Sequence, residues 1–341
     1  MSAKRRIIPV FVPHLGCVHE CVFCDQRGIS GTLSPPAPEE VYIQISDAMK
    51  KLPHGEAAQA AFYGGSFTAV AEKLQNALLD SANRALGRTG SIRISTRPDC
   101  IDTETVARLM SKNVRTIELG AQSMDDGVLL SSARGHRAGD TYAAAKAVKG
   151  CGAELILQMM TGLPGDTPEK SIYTARELIA LKPDGVRIYP TVVVRGTRLH
   201  ELFESGKYAE HSVDDAVELC AVICEMFDSA GIPVIRLGLN PSDGLSAGDA
   251  VAGAYHPALG ELVQSRIYLG HARDALQRAK VRRGSSVTLS VERGKRSAMT
   301  GQRRCNIDSL VSDFGLAALT IAENEQKCKI VVVNVENEHE M

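Results

Sequence analysis

No tryptophan occurs in the 341-residue chain, and aromatic residues make up only 4% of it. Aromatic platforms for stacking single-stranded bases are therefore not signalled. No apolar run approaches the roughly 18 residues that a membrane-spanning helix needs. No charged-then-apolar leader with a small-residue cleavage site precedes Pro9; the start, MSAKRRIIPVFVP, turns directly from basic residues into a strand-like run. The expectation is a cytoplasmic protein without membrane contact. Charge of either sign is not in surplus: 39 Lys and Arg against 40 Asp and Glu leave a net charge of −1. Affinity for a polyanion would have to come from a local patch. Internal repeats and low-complexity segments are also missing. What remains, 44% hydrophobic and 23% charged residues, suits one large globular domain, or a large one with a small companion.

Nine cysteines in a long chain without an export pattern argue against a disulfide framework. Cys100, Cys151, Cys305 and Cys328 are isolated in sequence. Cys220 and Cys224 share a face of the helix-like ELCAVICEMF, and the rest of that face is apolar, so core packing accounts for them. The other three, Cys17, Cys21 and Cys24, crowd into GCVHECVFCDQ.

Short, nearly continuous apolar or β-branched runs alternate with amphipathic stretches. The strand candidates are residues 7–13, 60–65, 92–97, 115–121, 154–162 and 185–194, each patterned for burial on both faces of a parallel sheet. Segments such as EKLQNALLDSANRAL and EKSIYTARELIALK between them carry the helical period, and Gly or Pro often ends them. Six β/α units imply an α/β architecture with right-handed crossovers. A closed barrel wants eight, so the expectation is an open (β/α)6 partial TIM barrel, with a flat doubly wound sheet as the alternative. In both, ligands bind at the carboxyl ends of the strands. There the sequence places HLGC, GGSFT, STRPD, GAQS and TGLPGDT. Residues 1–240 are read as this core, 241–325 as a small basic α+β extension with a helix near 258–281 and a strand VTLSVER, and 326–341 as an acidic tail.

Cysteines 17, 21 and 24 form C-x3-C-x2-C on the loop after the first strand. Structural zinc wants four ligands, which His14 or His19 could complete. The other reading is a 4Fe–4S cluster with one iron lacking a protein ligand and so open to a substrate or cofactor.

With Phe23 before the last cysteine, the motif resembles the signature of the radical S-adenosylmethionine (SAM) enzymes. TRPD (96–99), ELGAQSMDD (118–126), ARGH (133–136), TGLPGDT (161–167), RIYPTVVVRGTRL (187–199) and GAYHPALGELVQSRIY (253–268) resemble the branch holding the Elongator catalytic subunit and oxygen-independent coproporphyrinogen oxidase. The resemblance implies an open β/α barrel and a 4Fe–4S cluster on Cys17, Cys21 and Cys24. It also implies cleavage of SAM to methionine and a 5′-deoxyadenosyl radical, with the electron coming from a donor such as flavodoxin or ferredoxin. Gly64, Gly65 and Ser66 match the glycine-rich motif whose backbone receives the SAM amino group. Ser95, Gln122, Arg134 and Gln158 align with polar positions that hold its ribose and carboxylate; Ser95 and Gln158 differ in type from the acidic residues common there. Phe23 is placed to pack on the adenine or to shield the cluster, and Gly162 to Gly165 to form a turn near the adenine. The acetyltransferase domain and long basic N-terminal extension of the Elongator subunit are not in this sequence, so it reads as a truncated Elongator-like enzyme.

His136 and His256 are read as solvated or capping, with substrate contact as the alternative. From His271 to Cys305 ten Lys and Arg face only Asp274 and Glu292, an imbalance that suits phosphate contact, with Arg282 and Arg283 foremost. The leading expectation is a radical SAM enzyme acting on RNA, tRNA in particular. The alternatives are the same chemistry on a small or porphyrin-like molecule, and a non-catalytic iron–sulfur or zinc protein that binds RNA.

Overall fold

The computed structural model describes residues 6–12, 19–24, 35–53, 56–240, 245–325 and 330–336. Cys17, His14 and the rest of 13–18 lie outside them. The chain divides into two units, Met1–Ser212 with Met226–Tyr255, and Val213–Glu225 with His256–Met341.

In the first unit the apolar runs become β1 Arg6–Val12, β2 Ala58–Gly64, β3 Ser91–Thr96, β4 Val114–Gln122, β5 Glu154–Thr161 and β6 Gly185–Pro190, followed by β7 Val192–Val194, β8 Val234–Leu237 and β9 Ala250–Gly253. Strands β1 to β6 and then β8 pair in that order, all parallel, into one curled, open sheet. The crossovers carry helices α1 Pro38–Lys50, α2 Glu72–Leu86, α3 Thr103–Ser111, α4 Asp126–Ser131, α5 Ala138–Gly150, α6 Pro168–Ala180 and α7 Arg198–Glu204. Local chemistry starts several of them: the side chains of Asp102, Asp125 and Thr167 accept from backbone N–H groups of the first turns of α3, α4 and α6. Alternate strand residues Ile92, Ile94, Ile117, Leu119, Leu155 and Leu157 are fully buried, as are Leu78, Leu79, Val106, Leu109 and Leu178 of the helices. The opposite faces of the same strands carry the polar residues described below. Because every strand of this sheet is parallel, all their carboxyl ends open at one edge.

Two expectations need correction. The sheet has seven strands, not six. β8 is only four residues long and lies between Gly231–Pro233 and Gly238, too short to show a period. The run 185–194 is not one strand. Pro190 ends β6, and Thr191 turns back to donate from its backbone N and its hydroxyl to the Thr161 carbonyl at 2.9 and 2.7 Å. β7 then pairs antiparallel with β9. Residue 240, the expected boundary, therefore precedes a strand that still belongs to the first unit.

The second unit contains part of α8 Val213–Ser229, then α9 Leu259–Arg278, β10 Ser286–Glu292, α10 Arg296–Thr300, α11 Cys305–Phe314, β11 Ala318–Asn324 and β12 Ile330–Glu336. Cys220 and Cys224 on α8 are buried, as core packing requires. β10 is central, parallel to β11 and antiparallel to β12. Tyr268, Ala272 and Leu276 of α9 and Ile307 and Leu310 of α11 close over Val287, Leu289 and Val291 of β10. The acidic tail thus contains a strand. The apolar run from Ile330 outweighs the flanking charge, and Ile330 and Val332 pack on this core.

Deleting residues 330–341 removes one hydrogen-bonding neighbour of β10. We expect the melting temperature of this unit to fall by roughly 5 °C or more. Differential scanning calorimetry of the shortened chain checks it, and an unchanged melt would show that β12 contributes nothing.

Candidate functional site

The strand ends converge on a cavity of about 200 Å³. Its walls include Cys21, Phe23, Cys24, Gly64, Gly65, Ser66, Ser95, Gln122, Arg134 and Gln158, which are all the expected cluster and SAM residues that the described chain contains. His19, Thr96, Arg97 and Gly120 complete the lining. The turn from Gly162 to Gly165 is not part of this wall. Gly162 N–H instead donates to Asp166, and Tyr208 donates to the Gly162 carbonyl.

Each wall has a local cause. Gly64 adopts φ +115°, and a Cβ there would lie 2.3 Å from the Val12 carbonyl oxygen. Only glycine lets the end of β2 come that close to the end of β1. Gly65 N–H donates to the same carbonyl. Ser66 Oγ hydrogen-bonds Thr96 Oγ1 at 2.7 Å and accepts from Arg97 N–H at 3.2 Å, tying β2 to β3. On β4 the register shifts between Gly120 and Gln122, and Gln122 takes φ +64°. This left-handed bulge lets its Oε1 accept from Gln158 Nε2 at 3.2 Å. The segment bearing Cys21 and Cys24 is held by Val22: its N–H donates to the Ser132 carbonyl and its carbonyl accepts from Leu199 N–H. The Val22 side chain is buried with Val193, Leu199 and Tyr208, and Phe23 packs on that group.

Charge gathers behind the cysteines. Arg134, 7% exposed, donates from Nη1 to Cys21 Sγ at 3.3 Å and from Nη2 to the Gly120 carbonyl at 2.7 Å. Its buried Nε has no acceptor. A Cβ on residue 120 would stand 2.9 Å from that Nη2, so glycine there makes the room. Arg97 forks onto Asp99 with two 2.9 Å bonds, and its buried Nη1 has no acceptor either. Burial alone would raise the Asp99 carboxyl, but the hydrogen bond and charge of Arg97 hold it below the usual range. His136, only 4% exposed, is neither solvated nor capping, which corrects the expectation for it. Burial first, then the charges of Arg134 and Arg97, push its pKa down to about 4. His256 Nδ1 accepts from Ala258 N–H, just ahead of α9.

The radical SAM superfamily profile matches residues 11–178, and that of the Radical SAM C-terminal domain matches 183–268. An uncharacterised protein of Methanocaldococcus jannaschii is 30% identical over 245 residues, covering 66% of this chain and 72% of that one. The chain belongs to the radical SAM superfamily of enzymes. Members of this superfamily in general use a 4Fe–4S cluster and SAM. Elongator complex protein 3 of Homo sapiens is 30% identical over 200 residues, 52% of this chain; the match spans only 37% of that relative's length. A tRNA uridine(34) acetyltransferase of Dehalococcoides mccartyi is 34% identical over 121 residues, 35% of this chain and 26% of the relative. The archaeal Elp3 of Methanocaldococcus infernus shares the fold, with a TM-score of 0.60 at 20% identity over 83% of this chain and 65% of that one.

The donor set of this cavity is compatible with the two groups that the superfamily in general uses. The Cys21 thiol stands beside a guanidinium, which suits an anionic thiolate-bound cluster, and two buried arginine N–H groups lack acceptors. Among the described residues no three His, Cys, Asp or Glu side chains are arranged to hold a metal, and Cys17 lies outside them. Sequence reasoning missed the roles of Val22 and Gly120, whose importance lies in contacts to distant residues. Thr96 and Arg97 stood inside the TRPD motif and could have been named from it.

In the second unit the basic stretch is not one patch. Arg282 and Arg283 precede β10, while Arg293, Lys295 and Arg296 follow it. A seven-residue strand sets its ends roughly 20 Å apart. Arg273 is bound to Asp313 and Ser309, and Arg283 lies against Gly315.

The buried His136 makes a pH prediction. The unfolded chain takes up its proton below about pH 6.5, whereas the folded chain resists until about pH 4. Its contribution is therefore complete above pH 6.5 and lost as pH falls from 6.5 towards 4, roughly 3 kcal/mol in all. Thermal melts at pH 7.5 and 5 should show the wild type losing more stability than His136→Gln, and equal losses would refute this.

Proposed function

We propose that the chain holds a 4Fe–4S cluster on Cys17, Cys21 and Cys24, binds SAM in the adjoining cavity, and acts on RNA, tRNA foremost. One observation carries the reading: the described cluster and SAM candidates, drawn from six separate segments, line a single cavity in which Arg134 touches the Cys21 sulfur. A cluster held by these cysteines and reduced by a donor such as flavodoxin or ferredoxin would supply the electron for splitting SAM into methionine and a 5′-deoxyadenosyl radical. Arg134 is placed to meet the SAM carboxylate with its planar fork, and the backbone of Gly64 to Ser66 to accept the amino group. Ser95, Gln122 and Gln158 offer the remaining polar contacts for carboxylate and ribose. Phe23, packed beside Val22, is placed to shield the cluster or to pack on the adenine. The RNA substrate is supported by the relatives named as tRNA uridine(34) acetyltransferases and by the exposed arginines of the second unit. Among the described residues no helix is long and apolar enough to cross a membrane. The splitting of the basic stretch favours the rival reading, a small or porphyrin-like substrate.

Anaerobically reconstituted protein should carry about four irons per chain, the content of one cubane cluster, and lose them in Cys17→Ala, Cys21→Ala or Cys24→Ala but not in Cys220→Ala. With dithionite it should release 5′-deoxyadenosine. Arg134→Ala should keep its iron yet bind SAM at least about tenfold more weakly, since hydrogen bonds to charged groups are worth more than neutral ones. A fully loaded protein that forms no deoxyadenosine would refute the reading.

The substrate is tested separately by titrating tRNA at several salt concentrations. Replacing Arg282 and Arg283 together should flatten the log–log salt slope by about one to two. A slope near zero in the unaltered protein would decide for the small-molecule substrate.

A further inference from the structure

The cavity at the strand ends is electrically one-sided. Arg97 and Arg134 line it, and none of its described lining residues is an Asp or a Glu. Both guanidinium groups are withdrawn from water, Arg97 being 3% and Arg134 7% exposed. Arg134 Nη1 donates to the Cys21 sulfur at 3.3 Å, and Arg97 keeps a buried Nη1 without an acceptor. Burial opposes the charge on Arg97. Its hydrogen bond and ion pair with Asp99, followed by the charges of Cys21 and Cys100, nevertheless hold its pKa above the usual value. Arg97 is therefore within electrostatic reach of the same sulfur that Arg134 touches.

The neighbouring groups do not cancel this charge. Asp99 offsets one of the two arginines through its fork. His136 adds no charge at neutral pH, because burial and then both arginines push its pKa down to about 4. Farther along the inner face Glu118 stands opposite Ser95, but Arg93 and Arg187 share its Oε1 at 2.6 and 3.1 Å, so that layer has no negative excess either. Of these charges one guanidinium is left over. In a site poor in water such a charge acts far more strongly than it would at the surface. Stability gives no reason for the excess, since a buried charge without a counter-ion is costly.

We propose that Arg97 and Arg134 raise the reduction potential of the cluster through their charge. Reduction adds one electron from a low-potential donor and breaks no bond, so the product carries one more negative charge. A positive charge beside a cysteine ligand favours that product, as does an N–H donated to its sulfur. The proposal rests on the reading of Cys17, Cys21 and Cys24 as cluster ligands. It adds what the arginines do before SAM arrives: they allow a weaker one-electron donor to suffice.

The test uses the full chain, reconstituted anaerobically and kept free of SAM. It is titrated with dithionite while the electron paramagnetic resonance signal of the reduced cluster is followed. Arg97→Gln removes a positive charge from the cavity wall, and Gln158→Glu adds a negative one with little change of shape. Each should shift the reduction equilibrium at least about tenfold towards the oxidised form, a fall of about 59 mV for one electron. Arg97→Lys keeps the charge and loses the fork, and should stay within about threefold of the wild type. A potential unmoved or raised in Arg97→Gln or in Gln158→Glu would overturn the proposal, as would a fall in Arg97→Lys equal to that in Arg97→Gln. Should Arg97→Gln fail to load iron, Gln158→Glu still decides. Wild-type protein that takes up no iron would refute the cluster reading itself, whereas iron-loaded variants with unmoved potentials would refute this proposal alone.

Discussion

The contact between the Arg134 guanidinium and the Cys21 sulfur joins the cysteine segment to the end of β4. A guanidinium 93% withdrawn from water is costly unless its N–H groups find acceptors. Here one goes to a sulfur, one to the Gly120 carbonyl, and one is left without a partner. The contact exists because residue 120 has no side chain and because Val22 ties the cysteine segment to Ser132, two residues before the arginine. Thiol, arginine and Gly120 are thus held together by contacts between three separate segments.

That unit stands on a sheet whose two faces do different things. Outward residues such as Ile94, Leu119 and Leu157 bury against helices and supply the stability. Inward residues of the same strands, Arg93, Ser95, Glu118, Gln158 and Arg187, are polar. A parallel sheet buried on both faces would ordinarily be apolar on both. The departure from that rule extends from the cavity at the strand ends along the inner face of the sheet, beyond the motif residues.

The second unit has a different logic. Its core is a small three-stranded sheet under two helices, and its arginines are divided by the central strand. Some of them already have protein partners, as Arg273 has in Asp313. A charge count along the sequence overstates what such a surface can offer a polyanion, because strand length separates neighbours in sequence and ion pairs neutralise others.

The cysteine spacing, the glycine pair 64–65 and the polar strand ends were legible in the sequence, because each is a local pattern fixed by backbone geometry within a few residues. Short runs rich in apolar and β-branched residues made strands β1 to β6 legible for the same reason, although their inner faces are more polar than two-sided burial would give. Strand β8 was not legible: four residues carry no period, and only pairing with β6 makes them a strand. Pro190 looked like an interior residue of one run, and only the return of Thr191 to the Thr161 carbonyl made it an end. The tail concealed β12 because charge at its flanks dominated the composition, while the open edge of β10 decided the fold. The Arg93–Glu118–Arg187 layer was invisible for a plainer reason. Its three members are separated by 25 and 69 residues, and only register across the sheet brings their charges onto one carboxylate oxygen.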